Sequence, residues 1–434
     1  VRAAVVGGGL AGLAAGVELA DGGAQVTLFE GRPRLGGATF SFERNGLWLD
    51  NGQHVALRCC SAYLGFLRRL GVDRLLPLQP RLDVPVLREG KPTARISRVA
   101  LPAPLHLAPS LLTYAPLSLR ERAAAIRAAL ALGRLDPTDP SLDAQTFGAW
   151  LRAHGQSENA IDALWNLIAL PTLNLPADEA ALTGAVKVFR TGLLDRADAA
   201  DVGVPAVPFQ RLHADPAAAA LEALGGEVQL GASIRADDVD ALLAEHDAVV
   251  VAVPHEAAAE LVPGLDVSGL GTSPIVNLHV HYDRRVLDAP VVATLGSPLQ
   301  WLFDRTKAAG AQQGQLVAVS LSHAIDEIGA SVAALRERFV PALERMLPEA
   351  RDAEILDFAV THEPRATFSA APGTARLRPG TQTSLPGLYL AGSWTDTGWP
   401  ATMEGAVRSG VTAARAALAA GPARRNAVAV GGAS

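Results

Sequence analysis

The chain has two cysteines in 434 residues, Cys59 and Cys60, and they are adjacent. Neighbouring cysteines do not build a disulfide framework, and no Cys/His spacing of a metal site occurs, so no metal is expected. Lysine is almost absent, with only Lys91, Lys187 and Lys307, while arginine supplies nearly all positive charge. Together with an alanine excess, this reads as genomic base composition rather than function. The formal net charge of −6 argues against nucleic acid as the main partner. No run of about 18 uninterrupted apolar residues occurs, so no transmembrane helix is expected. Residues 1–20 are largely apolar but lack a basic n-region of any size and a cleavage site, and they spell a glycine motif instead. A reduced, cytoplasmic protein is the expectation, with contact to the inner face of the membrane left open. Disorder is excluded, because 49% hydrophobic against 19% charged residues is enough for a large core.

What is present starts at once. An apolar run, Ala3–Val6, meets Gly7, Gly9 and Gly12 in a G-x-G-x-x-G pattern and passes into an alanine-rich helical stretch. A second strand, Gln25–Phe29, ends on Glu30. The first glycine permits the tight turn, the second admits a pyrophosphate, and the third packs helix on strand. The helix N-terminus favours the phosphate charge. Glu30 stands where a carboxylate accepts ribose hydroxyls, which favours FAD or NAD over NADP. A plain βα turn would not need that acid.

The length predicts two packed domains. The dinucleotide-binding domain is expected in three pieces, 1–80, 206–265 and 371–420. An inserted substrate domain takes 81–205 and 266–370, and 421–434 is read as a loose tail. Helical spacing appears from Cys60 to Leu70, and short antiparallel strands are expected around residues 83–91. From Pro104 to Arg134 leucines are interleaved with Arg120, Arg122, Arg127 and Arg134. That pattern suits either an ordinary helix pair or a helix lying on an anionic bilayer. The stretch from Trp165 to Asn174 is apolar with asparagines at its ends, which suits either a pocket lining or helix caps. Residues 247–254 form an apolar run typical of a strand buried on both faces.

A last strand, Gly387–Ala391, runs into Gly392-Ser393-Trp394 and then Trp399-Pro400-Ala401-Thr402-Met403-Glu404-Gly405 and a helical pattern. A second helix N-terminus is thereby offered to a negative group.

Arg34, Gly36 and Gly37 after Glu30, and the segment Gly392–Gly410, resemble the superfamily of FAD-dependent amine oxidases and carotenoid desaturases. The resemblance implies an α/β Rossmann-like FAD-binding domain with an inserted α+β domain, and FAD as cofactor. It places Arg34, Gly36 and Gly37 along the cofactor, Gln53 at the flavin edge and Ile234 at the adenine. It puts Gly392, Thr402 and Met403 against the flavin. Ser393 departs from the usual acid of the closing motif, which leaves its own contact open. Leu49–His54, Cys59–Tyr63, Gln300–Arg305 and Trp394–Glu404 together resemble one narrower group, the hydroxysqualene dehydroxylases. That resemblance covers nearly the whole chain. It implies reductive removal of a hydroxyl from a long isoprenoid alcohol in hopanoid synthesis.

An allylic hydroxyl leaves as water once protonated, so an acid is needed. His54 is the first candidate, with Asp50 beside it and Asp304 and Glu404 as alternatives; orienting the flavin or capping a turn is the plain reading of His54. Trp301, Phe303, Trp394 and Trp399, with Trp165 and Asn174, are candidates for an apolar wall, and simple core is their alternative. The rivals are a phytoene-type desaturase, an amine oxidase and a prenyl-lipid carrier of the same fold. An amine oxidase typically has a lysine near the flavin N5, where this chain has Asn277. The oligomeric state is not indicated.

Overall fold

A computed structural model describes residues 1–421. The expected loose tail, beyond Gly421 itself, lies outside the described residues. Ala3–Val6 is apolar toward both faces, and the strand it forms, Arg2–Val6, sits at the centre of a five-stranded parallel sheet. The order is Leu388–Leu390, Ala248–Val251, Arg2–Val6, Gln25–Glu30, Glu227–Leu230. The register sets Val6 opposite both Val251 and Phe29. Each central strand feeds its neighbour beyond the end: Gly7 N–H donates to the Phe29 carbonyl, Ala252 to Val6 and Ala391 to Val251. Parallel sheets bind ligands at this carboxyl edge. Gly7, Glu30, Ala252 and Gly392 are therefore brought together from stretches far apart in sequence.

The helix Leu10–Asp21 is buried almost all round, and the helix Met403–Ala420 packs along it. Gly410 makes the close approach, since a methyl group there would collide with the Ala11 carbonyl oxygen.

The second sheet has seven strands, in the order Ile355–Thr367, Ser273–Tyr282, Gln315–Ser322, Trp301–Asp304, Val291–Leu295, Asp83–Arg88, Ala94–Ser97. All pairings are antiparallel except Val291–Leu295 with Asp83–Arg88. One face is covered by the helix Val332–Met346 and the other in part by the helices between residues 119 and 189. Period-two alternation explains the central strand. Val276, Leu278, Val280 and Tyr282 enter the core beneath Val332–Met346, so Asn277 and His279 point to the opposite face. The edge strand Ile355–Thr367 carries Glu363, Pro364 and Arg365, and an edge position tolerates the proline.

Candidate active site

The glycine turn is fixed by close approaches. A methyl group on Gly12 would collide with the Gly7 carbonyl oxygen, so only glycine lets this helix start against the strand. Gly37, at φ +57°, lies over the turn, where a methyl group would come within 2.8 Å of the Gly9 Cα. Gly36 N–H donates to the Gly8 carbonyl at 2.9 Å, which ties the Arg34–Gly37 segment alongside the first motif. The Glu30 carboxylate accepts from the N–H groups of Gly8 (2.7 Å) and Arg32 (2.8 Å), so it is held at the rim of the turn. Ile234 follows the neighbouring strand and packs in the same apolar cluster as Phe29.

At the other end, Thr402 caps the helix Met403–Ala420 by accepting from Gly405 N–H. Ser409 Oγ accepts from Gly392 N–H at 2.8 Å, which fastens the last strand's turn to that helix. Glu404, with a fully buried side chain, accepts from the N–H groups of Ala62 and Tyr63 at the start of the helix Ser61–Arg69. It also pairs with Arg408 at 2.6 Å. Its carboxylate is thus an anchor between two helices, matching the dipole of the one it caps.

Two buried side-chain donors in the segments that the resemblance assigns to the cofactor have no hydrogen-bond partner: Arg34 Nη1 and Gln53 Nε2. Burying unpaired donors is costly, so each is suited to an acceptor supplied by a ligand. The glycine turn, the carboxylate at its rim, the second helix start and these two donors fit an extended dinucleotide.

Between the sheets lies a buried polar cluster. The hairpin Ser41–Arg44/Leu47–Asp50 delivers Asp50 to Arg305 at 2.7 Å, both side chains almost wholly buried. Asp50 also accepts from Ser41 Oγ at 2.5 Å, and Arg305 donates to the Pro205 carbonyl. Asn277 accepts from Gln53 N–H and donates to the Asn51 carbonyl, so the flavin-edge segment is pinned to the second sheet. His54 is half-buried, and its ring meets Phe209 edge-on at 5.2 Å. Its Nδ1 lies 3.2 Å from the Gly52 carbonyl. A carbonyl only accepts, so Nδ1 carries the proton and Nε2 is the free nitrogen of the neutral ring. Burial pushes the His54 pKa down, with Arg305 acting the same way; the Gly52 carbonyl and Asp50 oppose it.

Several expected wall and acid residues are placed elsewhere. Asp304 accepts from Thr306 N–H and Oγ1 and from Gln315 Nε2, which commits its carboxylate to a turn. Asp50 is committed to Arg305. Trp165 is in the helical core, donating to Gln156 at 2.9 Å and edge-on to Phe147. Asn174, at φ +54°, caps its helix and bonds Ser273, Thr367 and His323, so the cap reading describes it. Trp394 donates to the Val253 carbonyl inside the apolar core against the first sheet. Trp301 and Phe303 do share one face of their strand, toward the helical core. Lys187 and Arg408 both lie over the Trp399 ring, at 4.8 Å and 5.0 Å from its centroid.

Sequence reasoning did not single out Arg378, His213, His279 or Lys187. Arg378 donates to the Ser393, Trp394 and Thr395 carbonyls, and burial lowers its pKa to about 10. It braces the closing turn where that turn lacks its usual acid. Lys187 carried a signal, as one of three lysines in an arginine-rich chain. Burial, with Arg408 nearby, lowers its pKa. His213, bonded to Thr39 and Tyr63, and His279, with Nε2 unpartnered, are each pushed down to about 4 by burial.

These two histidines set an acid limit on stability. Their folded pKa values lie below the unfolded value of about 6.5, so the unfolded chain binds more protons between the two. Their contribution is complete above pH about 6.5 and is lost as pH falls toward about 4. Thermal midpoints should fall through that window, and His279→Leu should flatten the slope. An unchanged slope in that variant would contradict the assignment.

The comparisons with known proteins extend over the same elements. The model for flavin-containing amine oxidoreductases matches residues 10–418. The chain belongs to that family. This FAD-dependent oxidoreductase is 31% identical to the hydroxysqualene dehydroxylase of Rhodopseudomonas palustris, over 96% of this chain and 98% of the relative. It is 24% identical to the 15-cis-phytoene desaturase of Synechococcus elongatus, covering 96% of each. Among solved structures, an oxidoreductase from Methanosarcina mazei superposes with a TM-score of 0.71 at 17% identity, over 95% of this chain and 99% of that one. Putrescine oxidase does so at 0.69 and 18%, over 96% of this chain and 99% of that one. The structural neighbours carry the fold: a Rossmann-type α/β FAD-binding architecture.

Proposed function

We propose that this flavin oxidoreductase reductively removes the hydroxyl of hydroxysqualene, leaving squalene. The observation that carries the reading is full-length similarity to hydroxysqualene dehydroxylases, which exceeds that to the desaturase above. Reduced FAD, when bound, supplies the hydride that replaces the departing hydroxyl. Gly7, Gly9, Gly12 and Glu30 would hold its adenosine side, with Ile234 toward the adenine. Arg34, Gly36 and Gly37 would support its middle, and Gln53, Gly392, Thr402 and Met403 the flavin end.

The protein's own part is to hold the alcohol, deliver a proton and keep water out. His54 is the proposed proton carrier. In its resting neutral form Nε2 accepts a hydrogen bond from the substrate hydroxyl; once protonated, the same nitrogen donates. Asp50 favours that protonated form and Arg305 opposes it. Trp301 and Phe303 supply apolar surface that suppresses capture of the cationic carbon by water.

His54→Ala should keep its flavin yet turn over about 10²-fold more slowly. In the native enzyme the rate should decline as pH rises past a value lower than that of an unperturbed histidine, because burial lowers the His54 pKa. Undiminished turnover in the variant would leave His54 a structural role.

Phytoene-type desaturation is the second reading, favoured by the desaturase relatives. It runs hydride transfer in the opposite direction, so single-turnover chemistry of the reduced enzyme with hydroxysqualene separates the two. Amine oxidation is weakened by Asn277, which is tied to backbone and offers no amine. The unpaired donors of Arg34 and Gln53 weigh against a lipid carrier without flavin.

A further inference from the structure

Among the described residues, eleven large hydrophobic side chains are strongly exposed, and five of them fall between residues 101 and 130. They are Leu101, Leu105, Leu112, Leu119 and Leu130, with Leu119 at 78% exposure. Leu119 and Leu130 lie on the helix Leu119–Leu132, eleven residues apart, which is about three turns and returns to one face. The opposite face, Ala124, Ala125, Ala128 and Leu132, is buried in the helical core. The helix is therefore apolar both inward and outward, whereas a surface helix normally turns a polar face to water.

The neighbouring helix, Ala108–Thr113, presents Leu112 and packs against it. Arg122 locks the two together, donating to the carbonyls of Leu112, Tyr114 and Leu117. The apolar surface is thus preformed rather than assembled by a loop.

Charge selects the occupant. From residue 99 to 134 the ionised residues are Arg120, Glu121, Arg122, Arg127 and Arg134, in a chain of net charge −6. Glu121, the single acid, is consumed by Ser118, Ser157 and Asn159. Arg120, Arg127 and Arg134 are exposed. Leucines with flanking arginines match acyl chains beneath phosphate headgroups. A second copy of the chain meeting this face about a two-fold axis would set arginines against arginines.

We propose that residues 101–130 form a docking surface for an anionic lipid bilayer, on which the enzyme lies without spanning it. No described helix is long and apolar enough to cross a membrane. The inference deepens the proposed use of a water-insoluble alcohol, but its test reads binding alone, so either idea can fail without the other.

The test is sedimentation of the full-length, flavin-loaded protein with vesicles of phosphatidylcholine alone or mixed with phosphatidylglycerol. Binding is expected to the mixed vesicles, weakened by salt. Leu112→Glu/Leu119→Glu and, separately, Arg120→Glu/Arg127→Glu should each lower the bound fraction at least tenfold with the flavin spectrum unchanged. All four side chains are exposed, so both variants are expected to fold. Failure of the native protein to bind mixed vesicles would overturn the proposal, as would undiminished binding by the leucine pair. A native dimer dissociated by Leu112→Glu/Leu119→Glu would overturn it in favour of a second copy.

Discussion

Gly12→Ala should yield folded but colourless protein. The added methyl group has the Gly7 carbonyl in its way, with the side chain of Ala252 at 3.3 Å behind it. Relief requires the helix Leu10–Asp21 to withdraw from the strand Arg2–Val6. That movement takes the helix N-terminus away from the pyrophosphate position, where its partial charge acts. The same helix carries the closing helix along its flank, so the displacement reaches the flavin end as well. Flavin affinity should fall by at least 10²-fold, equivalent to about 2.7 kcal/mol. Visible absorbance after purification and titration with added FAD measure it. Retention of yellow protein at native stoichiometry would show that the glycine turn is not the cofactor's seat.

Asp50→Ala should be among the most destabilising single substitutions in the chain. It leaves the Arg305 guanidinium buried without its carboxylate, and Ser41 Oγ and Phe209 N–H lose an acceptor. Removing one member of a buried pair costs about 3–5 kcal/mol. Asp50→Leu with Arg305→Met should recover much of that loss, because it removes the stranded charge rather than exposing it. Denaturant unfolding of the single and double variants decides the matter. Equal losses in both would mean that Asp50 acts through hydrogen bonds alone. The pair also holds the segment that leads to Gln53 and His54, so the single variant should lose activity beyond its loss of folded protein.

The sequence carried the first sheet because its signals are local. A glycine turn, a strand of pure apolar residues and an acid at a fixed interval each report their own geometry. The strand Ala248–Val251 was legible for the same reason, as part of the apolar run 247–254. The strand Ile355–Thr367 was not, since its charged and proline residues are permitted only by an edge position that the neighbours decide. The polar cluster was half legible. Asp50, His54 and Arg305 all lie in stretches marked by the resemblance, but the pairing of Asp50 with Arg305 spans 255 residues and has no periodic signature. Glu404 shows the same limit: its role depends on a helix start more than 340 residues earlier. Aromatic residues were the weakest guide. A tryptophan reads alike whether it lines a cavity or, as Trp165 and Trp394 do, spends its N–H inside a core.

The outer face of residues 105–132 is a different case. Its leucines and arginines were visible in sequence, and only the buried alanines opposite them distinguish an exposed apolar face from an ordinary core helix.

The most direct measurement is a single turnover under anaerobic conditions. The enzyme is reduced chemically, freed of excess reductant and mixed with hydroxysqualene, while flavin absorbance and extracted products are followed. Reductive dehydroxylation predicts return of the oxidised flavin spectrum with one squalene formed per flavin. Reduced flavin that persists in the presence of the alcohol, alongside reduction of oxidised enzyme by a polyene or an amine, would contradict it.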